Sequence, residues 1–235
     1  MQIVLVRPNY KTHIITPPLG LGYLASYLKK NSIKVKIIDG LRDKLTVAEL
    51  VDQILSSKPD SVGITCLTSF YSQVVELSNA LKARKPEIKV IIGGIHPTFL
   101  PYETLADSKA DFVVCGEGEG ALLKLIKANF SNKGIRGVYS QKDALERKVI
   151  KKAEIIEDLD NLPVPDWEQI DPSSYPKAPH GAVDKHFPVG IIISSRGCPY
   201  PCTNCASPGF CERKIRFRSP ENVVDEIIFL HREYG

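Results

Sequence analysis

The chain has 235 residues, of which 43% are hydrophobic and 25% are charged, with 16 glycines and 17 prolines. These proportions are typical of a packed globular protein and exclude a disordered, collagen-like or coiled-coil chain. The net charge of +4 comes from charges of both signs spread along most of the chain, which argues against a general nucleic-acid binder. No apolar stretch approaches the roughly 20 residues that cross a bilayer. The N-terminus enters an apolar strand without a secretory signal, so we expect a cytoplasmic protein with no membrane span.

Two periodicities alternate along residues 1–130. Apolar runs of strand length, rich in Val and Ile, are separated by segments in which apolar residues recur every three or four positions. The predicted strands are 3–6, 35–38, 61–65, 89–92 and 112–115. Strands that alternate with helices form right-handed crossovers, so we predict an α/β fold with a Rossmann-like doubly wound parallel sheet of about five strands.

Four of the five loops that follow these strands are rich in Gly, Pro and small hydroxyl residues. Ligands of doubly wound sheets bind beyond the carboxyl ends of the strands, where glycine lets the backbone approach them and hydroxyls supply hydrogen bonds. We therefore predict a large flat or phosphate-bearing ligand, although Gly and Pro at any one loop could simply end a strand. The candidate cofactor-binding residues are Pro18, Leu19, Gly20, Thr65, Leu67, Thr68, Gly93, Gly94, His96, Gly116, Glu117 and Gly118.

Two kinds of polar residue in these loops have simpler readings. A histidine at position 96 could equally be a hydrogen-bonded loop residue. Glu117 and Glu119 begin a predicted helix, where carboxylates interact favourably with the helix dipole whether or not a ligand is present.

The alternation stops in residues 131–188. Residues 134–140 and 146–151 could pair as a small hairpin, and the following segment to 188 is dense in proline and acidic residues, which predicts an ordered connector between domains. A buried strand is predicted at 188–194. After the next loop, Ser219 and Pro220 predict the start of a helix as N-cap and first helical residue.

Just before that helix, basic residues alternate with apolar ones. This pattern predicts a half-exposed strand, or alternatively a contact with an anionic substrate or cofactor phosphate. The residues are Arg213, Lys214, Ile215, Arg216, Phe217 and Arg218.

Three cysteines lie close together after the predicted strand at 188–194. Cys198, Cys202 and Cys205 have the spacing C-x3-C-x2-C, which allows their thiolates to converge on one soft metal centre. A zinc site with Cys211 as fourth ligand, a four-iron cluster with one open iron, and unrelated buried thiols are the alternatives. The absence of a distant second cysteine pair and the position at the carboxyl end of a strand favour iron.

The stretch 196–205 resembles the cluster-binding signature of radical S-adenosylmethionine enzymes. Residues 197–200 together with 216–223 are similar to the subgroup that has an N-terminal cobalamin-binding domain. Residues 17–24, 93–97 and 116–119 are similar to stretches of that domain.

The resemblance implies specific cofactors. Cys198, Cys202 and Cys205 would ligate three irons of a 4Fe-4S cluster, and S-adenosylmethionine would chelate the fourth iron, with Tyr200 and Asn204 beside it. The reduced cluster would cleave S-adenosylmethionine to start radical chemistry, methylation or cyclisation, on a small-molecule substrate. An electron donor such as flavodoxin or ferredoxin is implied as a partner.

The sequence departs from the family pattern at three points. Asn204 replaces the usual aromatic residue before the third cysteine, and the Asp-x-His-x-x-Gly motif is absent, so cobalamin would lack a protein His ligand to cobalt. A full barrel takes about 250 residues, whereas 189–235 can hold only a first strand, the cluster loop and a first helix. We therefore expect the N-terminal part of a longer enzyme. The alternatives are a cobalamin- or nucleotide-binding module with a structural zinc site, and a remnant that binds neither metal nor corrin.

Overall fold

The computed structural model describes residues 1–177 and 186–235. Its strands and helices, in chain order, are β1 (Gln2–Arg7), α1 (Leu19–Lys30), β2 (Lys34–Asp39), α2 (Val47–Ser56), β3 (Ser61–Thr65), α3 (Tyr71–Arg84), β4 (Lys89–Gly93), α4 (Ile95–Phe99), α5 (Pro101–Asp107), β5 (Phe112–Val114), α6 (Gly118–Lys127), β6 (Val138–Ser140), α7 (Gln141–Leu145), β7 (Ser195–Gly197), α8 (Ser207–Cys211), β8 (Ile215–Phe217) and α9 (Pro220–Tyr234). Short 3₁₀ turns occur at Thr68–Phe70, Leu159–Asn161 and Pro172–Ser174.

The main sheet has six strands in the order β2-β1-β3-β4-β5-β6. The first five are parallel, and β6 is antiparallel to β5 at the edge. All five predicted strands are present, so the prediction of a doubly wound α/β sheet is confirmed. The strand order reverses between β1 and β3, which places the expected ligand position at the carboxyl ends of these central strands.

Alternate residues of each parallel strand supply two separate apolar layers. Val4 and Val6 point into the layer under α2 and α3, whereas Ile3 and Leu5 point into the layer under α1 and α6. This division follows from the two-residue period of a strand, which sends neighbouring side chains to opposite faces. A sheet covered on both faces needs apolar residues at consecutive positions, and β1 has them.

The proline-rich connector packs against the α1 and α6 face. Trp167 and Ile170 are buried in that layer, and a Cβ at Gly22 would lie 2.6 Å from Ile170 Cδ1. The part of the predicted connector at 178–185 lies outside the described residues. None of the described helices has the length and apolar character that a membrane span requires.

The predicted hairpin of 134–140 with 146–151 is wrong. Residues of β6 pair instead with β5 in the main sheet, with Tyr139 opposite Val113. The unpaired backbone at the sheet edge offers this ladder, and Ser140 forms a capping box with Asp143 that starts α7 where the hairpin turn was expected. The hydroxyl of Tyr139 then accepts a hydrogen bond from the backbone amide of Lys151.

The predicted buried strand at 188–194 is also wrong. These residues are half-buried or exposed, and the strand begins only at Ser195, where β7 pairs antiparallel with β8. Strand residues need hydrogen-bonding neighbours, and among the described strands none pairs with 188–194. The helix predicted from Ser219 is confirmed as α9, with the Ser219 hydroxyl accepting a hydrogen bond from the Asn222 amide.

Candidate functional site

A cavity of about 570 Å³ lies at the carboxyl ends of the parallel strands. The strands β1, β3, β4 and β5 and the starts of α1 and α6 form one side, and β7 and α8 form the other. Its walls are mainly apolar; they include Leu5, Leu21, Leu24, Ile64, Ile91, Ile95, Val114, Leu122 and Phe210. A concave apolar cavity of this size with a few polar groups is typical of a cofactor site.

Seven of the predicted cofactor-binding residues line this cavity together. They come from four separate loops of the sheet, which confirms that the chain brings those loops to one place. The residues are Gly20, Thr65, Gly93, Gly94, Gly116, Glu117 and Gly118.

The glycines of the lining serve two different purposes. Gly94 has φ +114°, and a Cβ there would lie 2.6 Å from the Cys66 carbonyl oxygen, so the backbone itself requires glycine. At Gly20 a Cβ would meet nothing within 4 Å, and at Gly93 the nearest atom would be 3.8 Å away. There the missing side chain leaves open space in the cavity, which suits a bulky, flat group such as a corrin.

The other predicted cofactor residues do not line the cavity. Pro18 and Leu19 are half-buried at the start of α1. Leu67 is exposed in the loop after β3. Tyr200 and Asn204 are exposed on the cysteine loop.

His96 and Thr68 interact with each other rather than with the cavity. The His96 ring stacks on Tyr71 at 4.0 Å between ring centroids, and its Nδ1 lies 3.2 Å from Thr68 Oγ1. Burial lowers the pKa of His96 below its ordinary value, which favours the neutral ring. No histidine of the described residues lines the cavity.

The cysteines lie on a long loop closed by the β7–β8 ribbon. Gly197, the last residue of β7, has φ +107°, and a Cβ there would overlap the Lys214 carbonyl oxygen at 1.8 Å. Glycine is therefore required at the base of the loop. Gly197 and Cys211, which bracket most of the loop, both line the cavity. The cysteine loop and the cavity are thus adjacent.

The three predicted ligands share this loop, but their thiols are not gathered into a ligand shell. Cys198 is half-buried, Cys202 and Cys205 are exposed, and all are free. Within 1–177 and 186–235 no group of three or more His, Cys, Asp or Glu side chains has metal-binding geometry. Loops of this kind adopt their final form as thiolates bind the metal, because binding and folding are coupled. The donor set, three free thiols, is the chemistry that an iron–sulfur cluster needs.

The thiols of the chain differ in their surroundings. Hydrogen bonding from Ser207 lowers the pKa of Cys205, which favours the ligating thiolate. Cys211 accepts a hydrogen bond from the Cys198 amide at 3.3 Å. Burial raises the pKa of Cys66 and Cys115 to about 12, and both are core residues.

A buried group of charges, which we call the Glu117 cluster, joins the ribbon to the sheet. It consists of Glu117, Glu119, Arg196 and Arg216. Arg216 donates to both carboxylate oxygens of Glu117, at 3.0 and 2.5 Å, and Arg196 lies 2.8 Å from Glu119. Burial would raise the pKa of Glu117, but hydrogen bonds from Arg216 and the Ile156 amide, with the charge of Arg196, hold it below its ordinary value.

A second buried pair lies behind the Glu117 cluster. Arg218 forms an ion pair with Glu226 of α9, and the other oxygen of Glu226 accepts a hydrogen bond from Trp167 Nε1 at 3.0 Å. The sequence pattern of alternating arginines predicted a strand correctly, but Arg216 and Arg218 are buried while Ile215 and Phe217 are exposed. The sequence held one signal for these pairs, because acidic and basic residues both occur close to the predicted site.

Comparison with known proteins gives the same picture. Residues 10–126 match the family described as the B12 binding domain. An uncharacterized methyltransferase of Pyrococcus horikoshii is 33% identical over 244 residues, which cover 100% of this chain and 51% of the relative. The anaerobic magnesium-protoporphyrin IX monomethyl ester cyclase of Rubrivivax gelatinosus is 31% identical, over 100% of this chain and 43% of the relative. The chain thus spans about half the length of these curated relatives.

A solved structure shares the fold. The radical S-adenosylmethionine methyltransferase TsrM from Kitasatospora setae, with cobalamin and a [4Fe-4S] cluster bound, superposes with a TM-score of 0.73 at 20% identity. The match covers 99% of this chain and 46% of that one. The match of residues 10–126 shows that the chain carries a domain of the B12-binding family, and the likeness to TsrM shows a shared fold.

Proposed function

We propose that the chain is the N-terminal part of a cobalamin-dependent radical S-adenosylmethionine enzyme. The observation that carries this proposal is that one cavity is lined both by the glycine loops of the B12-binding domain and by Gly197 and Cys211 of the cysteine loop. A corrin in that cavity and a cluster on the loop would be neighbours.

In this proposal the residues of the chain hold and shield the two cofactors. Cys198, Cys202 and Cys205 bind the cluster, Tyr200 and Asn204 lie beside S-adenosylmethionine, and the apolar walls exclude water from the corrin face. When bound, the cluster supplies the electron that cleaves S-adenosylmethionine to methionine and a 5′-deoxyadenosyl radical, while cobalamin can carry a methyl group. The protein contributes placement and a dry site. Cytoplasmic flavodoxin or ferredoxin is the proposed electron donor.

The proposed reaction classes are taken from the names of the relatives. One is named a methyltransferase and another a cyclase, and both names fit a radical formed at a small-molecule substrate.

Iron analysis tests the cluster directly. After anaerobic reconstitution with iron and sulfide, we expect about four irons per chain and brown absorbance, as the cluster chemistry predicts. Single Ala variants of Cys198, Cys202 and Cys205 should each lose most of the iron, whereas Cys66→Ala, in the core, should keep it. Equal iron in all four variants would contradict the assignment.

A second candidate is a cobalamin- or nucleotide-binding module whose cysteine loop binds structural zinc. The contact between the Cys198 amide and the Cys211 sulfur favours it, because Cys211 could supply the fourth ligand of a tetrahedral site. Stoichiometric zinc without iron, lost in Cys211→Ala, would support this candidate. Iron retained in Cys211→Ala would support the cluster.

Gel filtration with hydroxocobalamin tests the corrin site. A chain that binds cobalamin should carry the pink colour through the column at about one corrin per chain, as one site predicts. A remnant of the domain would elute colourless, and this result would overturn the proposed function.

A further inference from the structure

The Glu117 cluster is the shared boundary of two parts of the site. Arg196 lies opposite Arg216 in the β7–β8 ribbon, so both guanidinium groups leave the same face of the ribbon. They meet two carboxylates at the start of α6, Glu117 and Glu119. The ribbon is therefore fixed to the B12-binding domain through paired charges rather than through apolar packing.

All four members of the Glu117 cluster also line the cavity. Their side chains are 6 to 16% exposed, so an occupant of the cavity would bury them further and limit the arrangements they can adopt. Arg196 in addition packs over the Tyr23 ring, 4.9 Å from its centroid, and Tyr23 is another lining residue. An occupant of the cavity would thus lie against both arginines.

The same arginines set the position of the cysteine loop. Arg196 precedes Cys198 by two residues, and Arg216 lies just beyond the other end of the loop. Because Gly197 contacts the Lys214 carbonyl closely, the two ends of the loop have little freedom to slide past each other. A shift of the arginines would therefore move the cysteines.

Resting on the proposed function, we infer that Glu117 is a positioning residue that couples cobalamin binding to iron uptake by the cysteine loop. Each cofactor favours the arrangement of the Glu117 cluster that suits the other. Linkage then requires that iron raise the affinity for cobalamin by the same factor by which cobalamin raises the affinity for iron.

The test uses the full chain and hydroxocobalamin. Its dissociation constant is measured anaerobically by equilibrium dialysis for iron-free and iron-reconstituted protein, and the ratio of the two values is the coupling factor. Wild type should give a factor of about 5 or more, the lower end of typical allosteric coupling. Glu117→Gln, which keeps the shape but removes the charge, should give a factor near one.

The matched control is Glu226→Gln, which breaks the other buried pair but does not line the cavity. If Glu117 had only a structural role, Glu117→Gln would raise both dissociation constants equally, and the coupling factor would stay at the wild-type value. The control should keep the wild-type factor. Should Glu117→Gln not fold, Glu119→Gln decides, and we expect it to lower the factor because it releases Arg196.

Each failure has its own signature. A wild-type chain that takes up iron and cobalamin with a factor of one overturns this inference alone, as does a folded Glu117→Gln variant with the wild-type factor. The inference also fails if Glu119→Gln, used in its place, keeps the wild-type factor. A wild-type chain that takes up neither cofactor overturns the proposed function, and the inference with it.

Discussion

The sheet and the cysteine ribbon are held in place by different forces. In the sheet and the helices that cover it, residues such as Val4, Val62 and Leu77 are fully buried. In residues 186–235 the buried apolar side chains are Cys211 and Leu230, while Arg216, Arg218 and Glu226 are buried as well. The sheet is thus stabilised by its own core, whereas the ribbon depends on charge pairs with the sheet. We therefore expect the sheet to be the more stable region and the ribbon to be the region that opens more easily.

The largest effect on the free energy of unfolding should come from the apolar core of the sheet. Leu77→Ala removes a fully buried side chain between α3 and the sheet, so we expect it to lower the free energy of unfolding by about 2 to 5 kcal/mol. Val224→Ala, at an exposed site on α9, should change it by less than about 0.5 kcal/mol. Urea denaturation followed by circular dichroism measures both. Equal losses in the two variants would remove the distinction between the regions.

The ribbon should be sensitive to a change that leaves the sheet intact. Gly197→Ala adds a strained backbone angle, about 1 to 3 kcal/mol, and an overlap with the Lys214 carbonyl. We expect faster hydrogen exchange in β7 and β8 and reduced iron uptake, with exchange in β1 and β3 unchanged. Gly134→Ala shares the positive φ but would meet no atom within 4 Å, so it should leave the ribbon protected. Protection of the ribbon in Gly197→Ala would show that the contact is unimportant.

Acid should loosen the ribbon before it unfolds the sheet. The pKa of Glu117 is held below the ordinary 4.5, so its ion pair contributes stability above that value and loses it as the pH falls through the lowered pKa. Hydrogen exchange of the ribbon should rise on acidification in wild type, and its pH dependence should be weaker in Glu117→Gln. An identical pH dependence in the variant would assign the effect to another group.

The smallest effect separates the cavity from the helices that border it. Gly20→Ala places a Cβ into open space within α1, so it should raise the free energy of unfolding by about 0.5 kcal/mol yet weaken hydroxocobalamin binding. Gly120→Ala also meets nothing within 4 Å, but Gly120 does not line the cavity. Gly120→Ala should therefore raise the free energy of unfolding without weakening hydroxocobalamin binding. Equal corrin affinity in the two variants would place the ligand elsewhere.

The same contrast explains how much the sequence could predict. The sheet could be predicted from local sequence patterns, because runs of Val and Ile and the apolar stripes of helices can be recognised within about ten residues. The loops at its carboxyl edge follow from topology, and seven of the expected residues do line one cavity. The Glu117–Arg216 pair joins positions 99 residues apart, and no local period relates them.

Two errors have a related cause. The segments 134–151 and 188–194 have strand-like composition, but strand formation depends on which neighbour is available. The edge of the main sheet captured β6, and among the described strands none pairs with 188–194. Composition alone does not identify a partner strand.

We expect corrin and cluster to occupy one site in this chain. Electron paramagnetic resonance of the protein loaded with both, with hydroxocobalamin reduced to cob(II)alamin and the cluster reduced, tests it most directly. We expect the cob(II)alamin signal to relax faster when the cluster is present than in the Cys198→Ala variant, because two paramagnetic centres at one site interact. Equal relaxation in a wild-type sample that contains both cofactors would contradict it.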